Sequence, residues 1–161
     1  MDIFQHVQQM EKDGEAYYRG LAERTPDEGL EAVFLQLAED EVKHYQVFKK
    51  MAERSEVDMG PTEVLAGAKN VFRKMREAGA APEVVTDHVE AYRKALQVER
   101  ESEAFYREKA GEVDSPAYRA LFERIAEEEK KHAFLLEQVI EFVSRPQQWL
   151  ENAEFHRLEE Y

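Results

Sequence analysis

Two tetrapeptides, Glu41-Val-Lys-His44 and Glu129-Lys-Lys-His132, set a carboxylate three residues ahead of an imidazole. On a helix that spacing puts both groups on one face about a turn apart, within reach of a single cation. Each pair also lies in an apolar stripe. The first runs through Phe34, Leu37, Ala38, Glu41, His44, Tyr45 and Phe48, the second through Tyr118, Phe122, Ile125, Glu129, His132, Ala133 and Leu136. Spacing of i, i+3, i+4, i+7 marks the core-facing side of an amphipathic helix. An ionised carboxylate on such a face costs on the order of several kcal/mol unless a charge or a metal compensates it. These four residues therefore need partners.

The partners emerge when the chain is laid on itself with an offset of 88, which matches 13 of the 34 positions from 11 to 44 without a gap. Glu11, Glu15, Ala16, Tyr18, Arg19, Ala22, Ala32, Phe34, Ala38, Glu39, Glu41, Lys43 and His44 all find identical residues. The chain is an internal duplication. Glu11 and Glu99 each stand 30 residues before the Glu of a Glu-x-x-His. About 30 residues cover two half-helices and a short turn, so each of these carboxylates can return to the height of the motif that follows it.

Glu11, Glu41, His44, Glu99, Glu129 and His132 thus form a candidate ligand set. Four carboxylates carry −4, two divalent ions carry +4 and neutral imidazoles add nothing, so a filled site is close to neutral. Oxygen-rich ligation with one imidazole per ion suits iron or manganese, and zinc also fits. Tyr18 and Tyr106 lie two turns beyond Glu11 and Glu99 on the same faces, where a phenol can hydrogen-bond a ligand carboxylate and fix its orientation. Glu15 and Glu103 are weaker candidates, read as lying behind the ligands or facing solvent. His6, His88 and His156 match nothing at the offset and read as surface histidines, Met10, Tyr17 and Phe105 as core filling. The acidic runs Glu127-Glu128 and Glu159-Glu160 read as solvated faces.

The elements that position such a set read as those of an all-α chain. Few glycines, five prolines and unbroken helical periodicity agree with that. The first helix is expected from Asp2 to Glu23. Thr25 should cap a second, with Pro26 at its first position, that runs to about Arg54. A crossover over residues 55–81 carries a short helix, because Val64, Leu65, Ala68, Val71, Phe72 and Met75 keep helical spacing. Pro82 should open the third bundle helix, to Ala110, and Ser115-Pro116 the fourth, to Val143. The expected architecture is a four-helix bundle over residues 1–145 with one long crossover between its second and third helices. Residues 146–161 form a helical tail whose Trp149 should dock on the bundle or on a partner subunit.

A chain of 161 residues with 43% hydrophobic content can bury one core. With no cysteine it holds neither a disulfide nor a thiolate metal site. A net charge of −13 repels phosphate backbones and draws in small cations, so nucleic-acid binding is not expected. No apolar run is long enough for a membrane span, and the start Met-Asp-Ile-Phe-Gln-His lacks the basic residues of a signal peptide, which predicts a cytoplasmic protein. Apolar surface on the crossover helix and tail predicts a homodimer.

In Glu11, Glu41-x-x-His44, Glu99 and Glu129-x-x-His132 the chain resembles the ferritin-like di-iron carboxylate proteins and, within them, the rubrerythrins. The tail around Pro146-Gln-Gln-Trp149 is also similar to tails in that group. The resemblance implies a ferritin-like bundle holding two iron ions, hydrogen peroxide or dioxygen as substrate, and peroxide reduction in oxidative-stress defence. It departs in two places. Rubrerythrins usually carry a four-cysteine rubredoxin-like site, so electrons here would come from an external donor such as a rubredoxin. They also place a further carboxylate three residues after the third-helix ligand, where this chain has Ser102 followed by Glu103. Oxidation of ferrous iron for storage, or a non-catalytic metal-stabilised bundle, are the other functions such a site permits.

Overall fold

The computed structural model describes residues 2–79 and 88–161. Every regular element among them is helical: α1 (Ile3–Arg24), α2 (Glu28–Ala52), α3 (Val64–Glu77), α4 (Val89–Ala110), α5 (Pro116–Ser144), α6 (Pro146–Glu151) and a final 3-10 helix (Glu154–Glu159). None of them is long and apolar enough to cross a membrane.

Caps set the helix starts. The Asp2 carboxylate accepts from the Gln5 N–H at 2.9 Å, Asp27 from Leu30 at 2.8 Å, and the Ser115 hydroxyl from Tyr118 at 3.3 Å with Pro116 at the first helical position. Each such cap contributes about 1 kcal/mol. The cap of α2 is therefore Asp27 and not Thr25. Thr25 instead closes α1, its N–H donating to the Leu21 carbonyl at 3.1 Å, and Pro26 falls in the turn. The reason is reach: an N-cap oxygen meets an N–H two or three residues on, and Thr25 stands too early for the first free N–H groups of α2. Pro82, expected to open the third bundle helix, lies outside the described residues; α4 begins at Val89.

The short link 25–27 joins α1 and α2 into one helical hairpin, and the link 111–115 joins α4 and α5 into another. Close backbone approach is concentrated within these hairpins. The crossover helix α3 packs over α2 and α5 and against the tail. Its Phe72 ring lies 5.0 Å from that of Phe142 and 4.5 Å from the indole of Trp149. Trp149, Leu150, Phe155 and Leu158 are all buried in the same cluster, so the tail docks on its own bundle.

The buried apolar side chains fall into two clusters stacked along the bundle. One holds Tyr18, Leu21, Phe34, Leu37, Tyr92, Leu136, Val139 and Trp149, the other Val7, Phe48, Met51, Tyr106, Phe122 and Ile125. Each bundle helix passes from one cluster to the other. Glu11, the 41–44 pair, Glu99 and the 129–132 pair sit where it crosses between them.

Candidate metal centre

The six residues that share this layer are all buried, His44 and His132 completely. They gather into two groups. Glu11, Glu41, His44 and Glu129 each offer one ligand atom within 4.8 Å of the others, and so do Glu41, Glu99, Glu129 and His132. Glu41 and Glu129 belong to both groups. The duplication thus becomes a pseudo-twofold arrangement in which each hairpin contributes one terminal carboxylate, one shared carboxylate and one imidazole. The imidazoles lie nearly parallel, 5.9 Å apart with 16° between planes.

Each ring points one nitrogen inward and one outward. His44 Nδ1 lies 2.9 Å from Glu129 Oε1 and 3.5 Å from Glu11 Oε2, and His132 Nδ1 lies 3.2 Å from both Glu41 and Glu99 oxygens. The outer nitrogens meet carboxylates that are not part of the ligand set. His44 Nε2 is 2.8 Å from Glu128 Oε1, and His132 Nε2 is 2.8 Å from Asp40 Oδ2. A carboxylate on the far nitrogen fixes the tautomer and orientation of a metal-binding histidine. Lys43 stands between these outer acids, 3.2 Å from Glu128 and 3.6 Å from Asp40, and also donates to the Gly60 carbonyl. Thr62 of the crossover donates to Asp40. Glu128 is therefore buried and engaged, not a solvated face. The signal for the pair was present: Asp40 and Glu128 are related by the offset of 88, acid for acid, directly before each Glu-x-x-His.

The tyrosines act crosswise. Tyr106 of α4 donates to Glu11 of α1 at 2.6 Å, and Tyr18 of α1 donates to Glu99 of α4. Periodicity alone placed each phenol on the face of its own helix, and the fold gives it the opposite hairpin's carboxylate. Glu15 and Glu103 join neither group. They form ion pairs with Arg19 at 2.7 Å and Arg107 at 2.9 Å, near the surface. His6 and His156 are exposed, and His88 is half-buried against Tyr92.

Gly14 marks the tightest approach to the site, because a Cβ there would come within 2.8 Å of Glu41 Oε2. Its counterpart in the second half is Ser102. Beside them a cavity of ≈ 450 Å³ opens between α1 and α4 and reaches Glu11, Glu41, Glu99 and Glu129. Met10, Tyr17 and Phe105, expected as core filling, line it.

Electrostatics show how incomplete the layer is by itself. Burial pushes Glu41 and Glu129 well above the usual carboxylate range, and the charges of neighbouring glutamates push them the same way. Burial acts upward on Glu11 and Glu99 as well, but the adjacent His44 and His132 outweigh it and hold both below that range. Burial would lower His44, yet Glu11 and the surrounding carboxylates push it up to about 10. His132 is raised well above its ordinary value for the same reason. Glu11 Oε2, Glu41 Oε1, His44 Nδ1, Glu99 Oε2 and Glu129 Oε1 are buried without a hydrogen-bond partner. Buried polar atoms are normally paired, and these five converge on the two ligand groups, while Gln36 Oε1, Gln138 Oε1 and Trp149 Nε1 are unpaired elsewhere in the bundle. Such a donor set fits a pair of divalent cations.

A helical bundle with two buried, carboxylate-rich cation sites sharing two of their acids is the architecture of the di-iron carboxylate proteins. The rubrerythrin family model matches residues 8–140, and the chain belongs to that family. No curated protein and no solved structure matches it.

Proposed function

We propose that this chain is a di-iron oxidoreductase that reduces hydrogen peroxide with electrons from an external donor such as a rubredoxin. The observation that carries the reading is the sharing of Glu41 and Glu129 between two candidate ligand groups, which would hold two ions as one unit. Glu11 and His44 would complete one ion's ligands, and Glu99 and His132 the other's. Two ferrous ions there would supply one electron each, the pair needed to split the O–O bond of a peroxide.

The chain's own residues do the rest. Asp40 and Glu128 hold the imidazoles with Nδ1 facing inward. Tyr18 and Tyr106 keep Glu99 and Glu11 in place, and the phenol protons stay on oxygen because burial and the nearby carboxylates raise both groups well above their ordinary values. The two apolar clusters exclude water from above and below the layer. The cavity between α1 and α4 supports an approach for substrate from the side. The 161 residues contain no cysteine, so electrons must reach the layer from outside them.

The test is a stopped-flow mix of ferrous-loaded protein with hydrogen peroxide and, separately, with dioxygen, followed by the near-ultraviolet absorbance of ferric product. Faster oxidation by peroxide supports the proposal. Faster oxidation by dioxygen assigns the chain to ferrous-iron oxidation instead, and no oxidation by either leaves a metal-stabilised bundle.

A further inference from the structure

The cavity between α1 and α4 is far larger than hydrogen peroxide requires. Its ≈ 450 Å³ falls in the range of sites for small organic molecules, whereas a water-sized guest takes up roughly 30 Å³. The duplication explains where it lies: its lining comes in pairs related by the offset of 88, among them Met10 with Val98, Gly14 with Ser102, and Tyr17 with Phe105. It therefore straddles the pseudo-twofold axis, directly over the shared carboxylates.

Walls and floor differ in chemistry. The walls are apolar, formed by Met10, Tyr17, Val98 and Phe105, and the floor is the buried glutamate layer with its unpartnered oxygens. Tyr17 spans the gap by donating to the Ala91 carbonyl at 2.8 Å, and Lys94 lies 5.8 Å from its ring centre. At the other end the His6 ring lies 5.3 Å from that of Phe105. Val98, 47% exposed, sits at the open side, a large apolar side chain facing solvent beside an apolar space. The backbones of α1 and α4 make little close contact, which leaves the space open between them. Two acids, Asp13 and Glu101, stand at the mouth against one cation, Lys94, on a chain of net charge −13. An anionic head group would be repelled, and a neutral one would not.

We propose that this cavity binds a neutral organic hydroperoxide, its apolar body between Tyr17, Val98 and Phe105 and its peroxide head on the glutamate floor. The assignment of a hydroperoxide rests on the peroxide-reducing reading above. In the balanced step the O–O bond breaks, the carbon-bound oxygen leaves as the alcohol and the other as water. The two electrons would be supplied by two ferrous ions held by the layer, one from each, and the two protons by solvent.

The experiment begins with calorimetric titration of 1-octanol, an unreactive neutral stand-in, into the protein as purified. One octanol per chain should bind, octanoate should bind at least tenfold more weakly, and Val98→Trp should weaken octanol at least tenfold with an unchanged melting temperature. Ser102→Leu, filling the cavity from the same helix, gives the same readout should the tryptophan variant fold poorly. Ferrous-loaded protein should then be oxidised by cumene hydroperoxide, and octanol should slow that oxidation. Absence of octanol binding, octanoate binding as tight as octanol, or oxidation by hydrogen peroxide but not by cumene hydroperoxide overturns the inference and leaves the peroxide reading standing. Octanol binding with no oxidation by either peroxide removes the peroxide reading and the hydroperoxide assignment with it.

Discussion

Loading the site with metal should expel about four protons per chain at neutral pH. The count follows from keeping a buried layer close to neutral in both states, since uncompensated charge there is costly. In the metal-free layer His44 and His132 are raised, Glu11 and Glu99 are lowered and Glu41 and Glu129 are raised, so a neutral layer puts protons on both histidines and on Glu41 and Glu129 and leaves Glu11 and Glu99 ionised. Two positive imidazoles then balance two negative carboxylates. With two divalent ions bound, all four glutamates must be ionised and both imidazoles neutral, which again sums to zero. The difference is two protons from histidines and two from glutamates. Proton-linked binding of this kind changes affinity tenfold per pH unit for each proton released. At two protons per ion, affinity for each ion should fall about a hundredfold per pH unit of acidification near neutrality. Calorimetric titration of zinc or anaerobic ferrous iron, run in two buffers of different ionisation enthalpy, measures the proton count directly. Release of fewer than one proton per pair of ions would refute the charge balance and with it the reading of these six residues as ligands.

The same groups make metal-free and loaded protein respond oppositely to pH. His44, with an unfolded value near 6.5 and a folded value pushed up to about 10, contributes stability that is full below 6.5 and lost as pH rises toward 10. Glu41 and Glu129, raised from 4.5, act in the same direction, so melting of the metal-free protein should fall from pH 6 to pH 10 while the loaded protein is weakened by acid. Glu41→Ala should lose both ions and His132→Ala at least one, counted by elemental analysis. Asp40→Asn or Glu128→Gln should weaken metal roughly 10–100-fold, read by competition with a chelator, because an imidazole loses its outer anchor. Trp149→Ala should cost roughly 3–5 kcal/mol in chemical unfolding, as a fully buried indole against Phe72 and Phe142 is replaced by a void.

The six clustered residues were legible because their chemistry violated their surroundings: an acid and an imidazole inside an apolar stripe, written twice with an equal offset. Asp40 and Glu128 were not, although they stand beside the motif. An aspartate opposite a glutamate is no identity, and an acidic neighbour of an acidic ligand looks like a solvated run until the outer nitrogen of His44 or His132 is seen to need a partner. The crosswise tyrosines were half legible. Helical periodicity says which face Tyr18 and Tyr106 occupy, but only packing of the two hairpins says that each meets the other's glutamate. The cavity left no trace, since Met10, Tyr17 and Phe105 have the character of core residues, and a gap between α1 and α4 is a property of backbone separation. Trp149 was expected to dock, and it does so within the chain, where its ring and that of Phe72 cover one another.

The layer of glutamates and histidines lies on the seam between two hairpins whose closest backbone contacts are internal to each. Each hairpin is a local unit, assembled from neighbours in sequence, and such contacts form early because little loop entropy is lost. Docking of one hairpin onto the other buries four carboxyl groups and two imidazoles, whose desolvation must be balanced by protons or by cations. Each group takes three residues from one hairpin and one from the other, so neither hairpin alone holds a complete ligand group. Metal supply would then act as an assembly signal: a chain made in metal-poor conditions would carry two formed hairpins with a weakened seam, and the ions would set the rate at which the halves lock.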